Sequence, residues 1–253
     1  MSRVETDDAA PGVRVLAFNR PAVRNAFDTA MYVAVDRSLT EALAEESVHA
    51  VVLTGRGQVF TAGQDLREMA AIATGDAGPE AGSGFRRLLD TVVSFDKPLL
   101  AAVNGVGVGL GLTVLGHVDL VLVDEGARLR APFAEMGVPP EAASSRLLPE
   151  RMGWQRAAAA LLASEWISAD QAVESGLALR ACPAGTVLEE TLALARRIAS
   201  FPPHATRQMK RLMMASGRAE IVAARAREEA AFASLFADPA TNPGAQLTAG
   251  LGT

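Results

Sequence analysis

Lys97-Pro-Leu-Leu-Ala-Ala-Val103, followed directly by Asn104-Gly-Val-Gly-Val-Gly-Leu-Gly111, is the stretch that decides the fold. The first part is short and apolar, as in a buried β-strand, and the apolar run Leu112-Thr-Val-Leu115 after the second part predicts a helix. A strand that enters a helix through a glycine turn leaves unpaired N–H groups at the helix N-terminus, where the helix dipole favours negative charge. The segment therefore predicts a site for a developing oxyanion.

Two other interpretations apply to glycines at this spacing. They can serve only to let the helix pack closely against the sheet, with no ligand involved. A dinucleotide-binding loop is excluded, because a G-x-G-x-x-G fingerprint that begins at Gly105 needs its third glycine where the chain has Leu110.

A second glycine turn and a carboxylate accompany this segment. The turn is Phe60-Thr-Ala-Gly-Gln-Asp-Leu66, and the carboxylate ends the run Val138-Pro-Pro-Glu141. Glycines let main-chain N–H groups approach a ligand closely. Two such N–H groups and one base can generate and hold an enolate, so the three segments together indicate enolate chemistry.

Taken together, these segments resemble the crotonase superfamily, the enoyl-CoA hydratases and isomerases. Three ordered motifs carry the resemblance over most of the chain: Arg20-Pro-Ala-Val-Arg-Asn-Ala-Phe27, Gly55 to Leu66, and Lys97 to Gly111. The resemblance implies an α/β fold in which residues 1–200 form a crotonase-like spiral of β-β-α turns. Residues 201–253 would then form a C-terminal helical trimerisation region.

The resemblance also implies a ligand and the residues that bind it. The substrate would be an acyl-CoA thioester, with its carbonyl oxygen in an oxyanion hole formed by the N–H groups of Ala62 and Leu110. The implied binding residues are Arg24, Ala26, Ala62, Gly63, Gln64, Asp65, Leu66 and Leu110. No metal or separate cofactor is expected, since coenzyme A is part of the substrate, and the expected assembly is a homotrimer or a dimer of trimers.

The catalytic positions distinguish between members of the family. Hydratases of the family use two glutamates, and the matching positions here hold Thr113 and Phe133, neither of which can act as a carboxylate base. Residues 131–145 are instead similar to the loop of the peroxisomal type of Δ3,Δ2-enoyl-CoA isomerase, whose single catalytic glutamate matches Glu141. Glu135, six residues upstream, is the alternative base.

A single base suffices for moving a double bond from C3 to C2 of an acyl thioester. One carboxylate can remove the α proton and return it at C4, and burial in an apolar pocket would raise its pKa toward the working pH. The expected activity is therefore isomerisation of a 3-enoyl-CoA through Glu141. A hydratase of the same family and a noncatalytic acyl-CoA-binding protein are the alternatives.

Composition and charge agree with a globular enzyme. The chain has 253 residues, 49% of them hydrophobic, which is ample for a large core. The formal net charge of −5 gives no reason to expect nucleic acid or an anionic membrane surface as a partner. The N-terminus lacks an apolar signal-peptide region, and Asn104, His117 and Asp119 interrupt the long apolar stretch 99–123. A cytoplasmic location and no membrane association are expected.

Apolar runs and turn residues predict the first two thirds of the secondary structure. Strands are expected at Val13 to Phe18, Ala50 to Leu53, Leu99 to Val103 and Leu120 to Val123. They alternate with helical patterns, one of which Asp28 is placed to cap. The glycine-rich residues 70–84 predict a loop, which either borders an acyl pocket or is a solvated linker. Ser168 and Thr186 each fit the first position of a capping box.

The C-terminal third has a helical pattern. Two helices are expected at Ala205 to Ser216 and Arg218 to Ala237, on either side of Gly217. The second carries an apolar stripe at i, i+3 and i+4 that needs a partner subunit or packs on its own core: Phe232, Leu235 and Phe236. Residues 196–227 contain eight Lys or Arg and one acid, a basic edge that suits coenzyme A phosphates or is simply solvated.

Overall fold

A computed structural model describes residues 2–74, 76–77, 82–238 and 240–243. These residues form ten β-strands and ten α-helices. The strands are β1 (Val4–Ala10), β2 (Val13–Phe18), β3 (Ala50–Gly55), β4 (Val59–Thr61), β5 (Leu99–Val103), β6 (Val106–Val108), β7 (Leu120–Asp124), β8 (Arg128–Arg130), β9 (Ile167–Ser168) and β10 (Arg180–Cys182). The helices are α1 (Thr29–Ala44), α2 (Leu66–Thr74), α3 (Ser83–Ser94), α4 (Leu110–Thr113), α5 (Ser144–Met152), α6 (Trp154–Leu162), α7 (Ala169–Glu174), α8 (Val187–Ala199), α9 (Pro203–Ala215) and α10 (Arg218–Ala237).

The strands form two sheets. The larger has the order β1-β2-β3-β5-β7-β10 and is parallel apart from the antiparallel pair β1-β2. The smaller has the order β4-β6-β8-β9, and only its β8-β9 pair is antiparallel. Each successive strand pair, β3 with β4, β5 with β6 and β7 with β8, places one strand in each sheet before a helix follows. The predicted α/β spiral of β-β-α turns is therefore confirmed.

The larger sheet is apolar on both faces because both faces are covered. Alternate residues such as Val51 and Leu53 of β3 belong to the main core, together with apolar residues of α1 and α3. The residues between them, Ala50 and Val52, belong to a second cluster with Ala195 and other residues of α8. The alternation follows from the two-residue period of a strand, and it explains why β3 has no polar face in the sequence.

Most predicted elements agree with the structure. All four predicted strands are present, and α1 begins after Asp28, whose carboxylate accepts the Met31 N–H at 2.8 Å. The loop prediction for residues 70–84 is wrong at both ends, because α2 continues to Thr74 and α3 begins at Ser83. The end of α2 is rich in alanine, the best helix former. Residues 75 and 78–81 of the predicted loop lie outside the described residues.

The two predicted capping boxes differ. The Ser168 hydroxyl accepts the Gln171 N–H, and the Gln171 side chain accepts the Ser168 N–H, so this box is confirmed. The box at Thr186 is wrong, because the Thr186 hydroxyl donates to the carbonyl of Pro183 at 2.8 Å.

Both predicted C-terminal helices are present as α9 and α10. Three cations of α9 attach it to the core instead of forming a free basic edge. Arg207 and Arg211 both pair with Asp96, and the buried Lys210 ammonium lies 2.7 Å from Asp119. The proposed division of the chain at residue 200 stays a prediction.

The apolar stretch 99–123 is divided among β5, β6, α4, a 3₁₀ turn at Val114–His117 and β7. In the part of the chain that the structure describes, no helix is both long and apolar enough to cross a membrane.

Candidate active site

The first glycine turn joins β4 to α2 and needs glycine at position 63. Gly63 has a φ of +81°, and a Cβ built there would lie 2.5 Å from the carbonyl oxygen of Val108 and 3.4 Å from the amide nitrogen of Leu110. A real Cβ does not approach a backbone atom this closely. Gly63 is therefore the point at which the two glycine turns are in contact, and the missing side chain is what brings them together.

The free donor of this turn is not the one that the sequence indicated. The Ala62 N–H donates to the carbonyl of Arg24 at 2.9 Å, so it is already satisfied and the prediction for Ala62 is wrong. Two further backbone hydrogen bonds join this turn to Phe27. The Gly63 carbonyl accepts the Phe27 N–H, and the Asp65 N–H donates to the Phe27 carbonyl. The N–H of Gln64, between them, has no acceptor among the described residues and faces away from Phe27. Gln64 therefore takes the place of Ala62.

The second turn supplies the other donor. The Gly109 N–H donates to the carbonyl of Arg130 at 2.8 Å, and its carbonyl accepts the N–H groups of Leu112 and Thr113 at 2.9 and 3.0 Å. Leu110 is the first residue of α4, and its N–H has no acceptor within the described part of the chain. An unpaired N–H at the first turn of a helix is suited to an anionic oxygen. Leu110 therefore stays a predicted donor to an oxyanion.

Glu141 faces the same cavity. It is half-buried, and one of its carboxylate oxygens accepts the hydroxyl of Thr113 at 3.3 Å. Burial raises the pKa of Glu141 to about 7, the Thr113 hydrogen bond opposes that rise, and the negative charge of Glu228 adds to it. A carboxylate with such a pKa can take up and release a proton near neutral pH.

The loop that carries Glu141 has an unusual backbone. Ala142 and Ala143 both have positive φ, +57° and +56°, a conformation that favours glycine. The Nε2 of His117 lies 2.7 Å from the carbonyl of Ala142 and must be the donor there. Burial lowers the pKa of His117 to about 4, so the ring is neutral at physiological pH. His117 therefore acts in the fold as a fixed hydrogen-bond donor to this loop.

Glu228 of α10 also holds this loop and was missed in the sequence. Its carboxylate accepts hydrogen bonds from Ala143 and Ser145, at the start of α5. A signal for it existed, because Ala224, Glu228, Phe232 and Phe236 are spaced by four and share one face of the helix. The apolar stripe, extended backward, includes this glutamate.

The cavity beside these groups has a volume of about 470 Å³. Its wall is mainly apolar and comes from both ends of the chain, with Met69, Phe85, Phe133, Met136, Val138, Phe232 and Phe236 among its residues. Phe232 and Phe236 are partly buried against the main core, which favours the alternative that the stripe packs on its own chain. The Tyr32 hydroxyl, also missed in the sequence, donates to the Gln64 side-chain oxygen at 2.6 Å.

The predicted binding residues divide into two groups. Ala62, Gln64, Leu66 and Leu110 line the cavity. Arg24, Ala26, Gly63 and Asp65 lie outside its described wall. Asp65 has a structural contact instead, since its carboxylate accepts the Arg67 N–H at 3.1 Å and lies 3.2 Å from Arg20.

Glu135, the alternative base, does not face the cavity. Its exposed carboxylate pairs with Arg130. Thr113 and Phe133 are both buried near Glu141, Thr113 as its hydrogen-bond donor and Phe133 as part of the apolar wall.

Known proteins resemble this chain in both sequence and fold. A family model described as enoyl-CoA hydratase/isomerase matches residues 8–247. The human enoyl-CoA delta isomerase 2 is 32% identical over 220 residues, which cover 86% of this chain and 56% of the human protein. The 2,3-dehydroadipyl-CoA hydratase of Escherichia coli (strain K12) is 33% identical over 229 residues, covering 89% of this chain and 87% of that protein.

The chain thus spans little more than half the length of the human relative. A solved structure of Pseudomonas aeruginosa OdaA superposes with a TM-score of 0.90 at 34% identity, covering 98% of both chains. Because the family model spans nearly the whole chain and the fold agrees over the same range, this protein belongs to the enoyl-CoA hydratase/isomerase family.

Proposed function

We propose that the protein is an isomerase that shifts the double bond of a 3-enoyl-CoA to the 2-position, with Glu141 as its single base. The observation that carries the proposal is the half-buried Glu141 carboxylate, with a pKa of about 7, beside two N–H groups without acceptors in the described chain. The two positions that hold glutamates in hydratases hold Thr113 and Phe133 here.

In the proposed reaction, the thioester carbonyl oxygen lies between the N–H groups of Gln64 and Leu110. Glu141 removes a proton from C2, and the electron pair of that C–H bond moves into a dienolate whose charge the two donors stabilise. The protonated carboxyl then returns the proton to C4, a double bond remains between C2 and C3, and Glu141 is again ionised.

The other carboxylates that border the cavity are less suited to this role. Both oxygens of Glu68 accept hydrogen bonds from Thr29, one from its N–H at 2.7 Å and one from its hydroxyl. Glu229 lies on the exposed side of α10, 3.5 Å from Arg225. A base should have a free lone pair directed at the substrate, and Glu141 meets this requirement best.

Hydration is the second candidate activity, and the likeness to a hydratase of Escherichia coli favours it. The two activities can be separated by comparing the isomerisation of 3-hexenoyl-CoA with the hydration of crotonyl-CoA in ¹⁸O-labelled water. We expect isomerisation to be much faster, with little solvent oxygen in the product. Hydration at an equal or greater rate would refute the isomerase assignment. Tight acyl-CoA binding without turnover would favour a noncatalytic binding protein.

We also propose that the protein acts in the cytoplasm as a homotrimer or a dimer of trimers. Exposed apolar side chains of α9 support an assembly, and they include Met209, Leu212 and Met213. The mass in solution tests the assembly, and a stable monomer at micromolar concentration would contradict it.

A further inference from the structure

Glu141 belongs to a loop whose conformation depends on contacts with other segments of the chain. The loop has no glycine at its two left-handed positions, Ala142 and Ala143, so its sequence disfavours the conformation that it adopts. Ala143 precedes α5 and has no side chain that could cap that helix. The Ser144 N–H donates to the carbonyl of Glu141 at 2.9 Å, within the loop, but the N–H groups of Ala143 and Ser145 need acceptors from elsewhere. A contact from outside the loop is therefore needed to complete the hydrogen bonding of its backbone and of the helix end.

Glu228 supplies those acceptors from α10. Its side chain is only 5% exposed. One carboxylate oxygen accepts the Ala143 N–H at 2.7 Å, and the other accepts the N–H and the hydroxyl of Ser145 at 2.9 and 2.5 Å. Burial raises the pKa of Glu228, whereas the three hydrogen bonds and the charge of Arg225 favour its ionised form and oppose that rise.

The charged groups around Glu228 are few. Arg225 lies one turn earlier on α10, and its guanidinium is 2.7 Å from Asp90. The neutral His117 donates to the loop from the 3₁₀ turn. On α5, Arg146 pairs with Glu150 at 3.3 Å, and Arg151 donates to the carbonyls of Gly116 and Val118. Glu228 also repels the carboxylate of Glu141, which contributes to the raised pKa of Glu141.

We propose that Glu228 is a positioning residue for the reaction, which fixes the left-handed loop from another helix and so holds the Glu141 carboxylate beside the Gln64 and Leu110 donors. This inference rests on the proposed isomerase function. The negative charge of Glu228 has a second consequence: burial is the main cause of the raised pKa of Glu141, and repulsion between the two carboxylates adds to that rise.

Two substitutions separate the geometric from the electrostatic contribution. Glu228→Gln keeps the length of the side chain but removes its charge, whereas Glu228→Asp keeps the charge but is shorter by one methylene. For Glu228→Gln we expect kcat to fall about tenfold or more, with KM changed by less than about threefold. The acid limb of the pH–rate profile should also move to lower pH, because Glu141 then ionises more easily. For Glu228→Asp we expect a similar loss of kcat with the acid limb unmoved.

Glu220→Gln is the matched control, since it removes an exposed charge from the first turn of the same helix. It should change neither kcat nor the pH profile. A kcat and an acid limb of Glu228→Gln that both match the parent protein would overturn the proposal. If Glu228→Gln does not fold, Glu228→Asp and Ser145→Ala are measured instead. An unchanged kcat in both of these variants would also overturn the proposal.

A titration without substrate distinguishes a failure of this inference from a failure of the proposed function. The Glu141 carboxyl can be followed by ¹³C NMR in the parent protein and in Glu228→Gln. A lower Glu141 pKa in the variant supports the contact even if the parent does not isomerise 3-enoyl-CoA. An unchanged titration together with unchanged kcat counts against Glu228 even if the parent is an active isomerase.

Discussion

The two halves of the candidate site are built in different ways. The half that offers N–H groups consists of two glycine turns in direct contact, and Gly63 permits their approach. The half that offers the carboxylate has no glycine where its backbone is left-handed, and it depends on Glu228 and His117 from distant segments. The half of the site with the N–H groups is determined by residues close together in sequence, and it leaves a recognisable motif. The half with the carboxylate depends on contacts between distant segments, and it leaves no such motif.

The largest effect should come from Glu141→Gln, which keeps the size of the side chain but removes the base. Loss of a positioned general base lowers the rate by about 10²- to 10⁴-fold, so kcat should collapse while acyl-CoA affinity changes little. Exchange of the substrate α proton with deuterium should disappear in parallel. Glu135→Gln is the control, since Glu135 is exposed and paired with Arg130. Near-normal turnover of Glu141→Gln would show that Glu141 is not the proton shuttle.

Gly63→Ala tests the half of the site that offers the N–H groups. The new methyl group would meet the Val108 carbonyl, separate the two turns and displace both N–H donors. Loss of one oxyanion donor costs about 10²- to 10³-fold in kcat in other enzymes, and we expect an effect of that order here. Gly185→Ala is the matched control, because Gly185 has a similar φ of +77° but no heavy atom within 4 Å of its built Cβ. Equal activities of the two variants would mean that contact between the turns is unimportant.

The pH dependence of stability tests the burial of the base. The folded-state pKa of Glu141 is about 7 and its ordinary value is 4.5, so folding opposes its ionisation. The resulting loss of stability is absent below pH 4.5 and complete above pH 7. Glu141→Gln should therefore raise the free energy of unfolding by up to roughly 3 kcal/mol at pH 8 and hardly at all at pH 4. Urea unfolding at both pH values measures this, and a variant less stable at pH 8 would contradict it.

The smallest effect is expected from Ala142→Gly. Glycine relieves the left-handed conformation, worth roughly 1–2 kcal/mol for alanine, but it also increases the entropy of the unfolded chain by a similar amount. We expect the free energy of unfolding to change by less than about 1 kcal/mol. Thermal unfolding of Ala142→Gly and Gly63→Ala, measured side by side, compares their losses of stability. A loss for Ala142→Gly as large as that for Gly63→Ala would mean that the loop depends on alanine rather than on Glu228.

Sequence reasoning succeeded where neighbours along the chain determine the structure. Four of the six strands of the larger sheet (β2, β3, β5 and β7) and the Ser168 cap depend on a few consecutive residues, and these were predictable. The motif around Gly63 identified the correct turn but the wrong N–H, because the Ala62 donor is satisfied by the carbonyl of Arg24 from another segment.

The failure at Thr186 has a similar cause. The Thr186 hydroxyl donates a hydrogen bond to the carbonyl of Pro183 instead of capping α8, and the capping pattern takes no account of that carbonyl. Glu228 was missed because its three donors lie more than eighty residues away along the chain. The missed end of α2 has a different cause. Its alanines favour a helix, but the glycines that follow them led to the prediction of a loop.

Helix α10 brings Phe232 and Phe236 to the cavity wall and Glu228 to the loop of Glu141. During synthesis it leaves the ribosome after both glycine turns and the whole of the larger sheet. A nascent or nicked chain without α10 would still possess the two N–H donors, but it would lack part of the cavity wall and the support for its base. Support for the candidate base and this part of the cavity wall therefore cannot form before α10 has been synthesised.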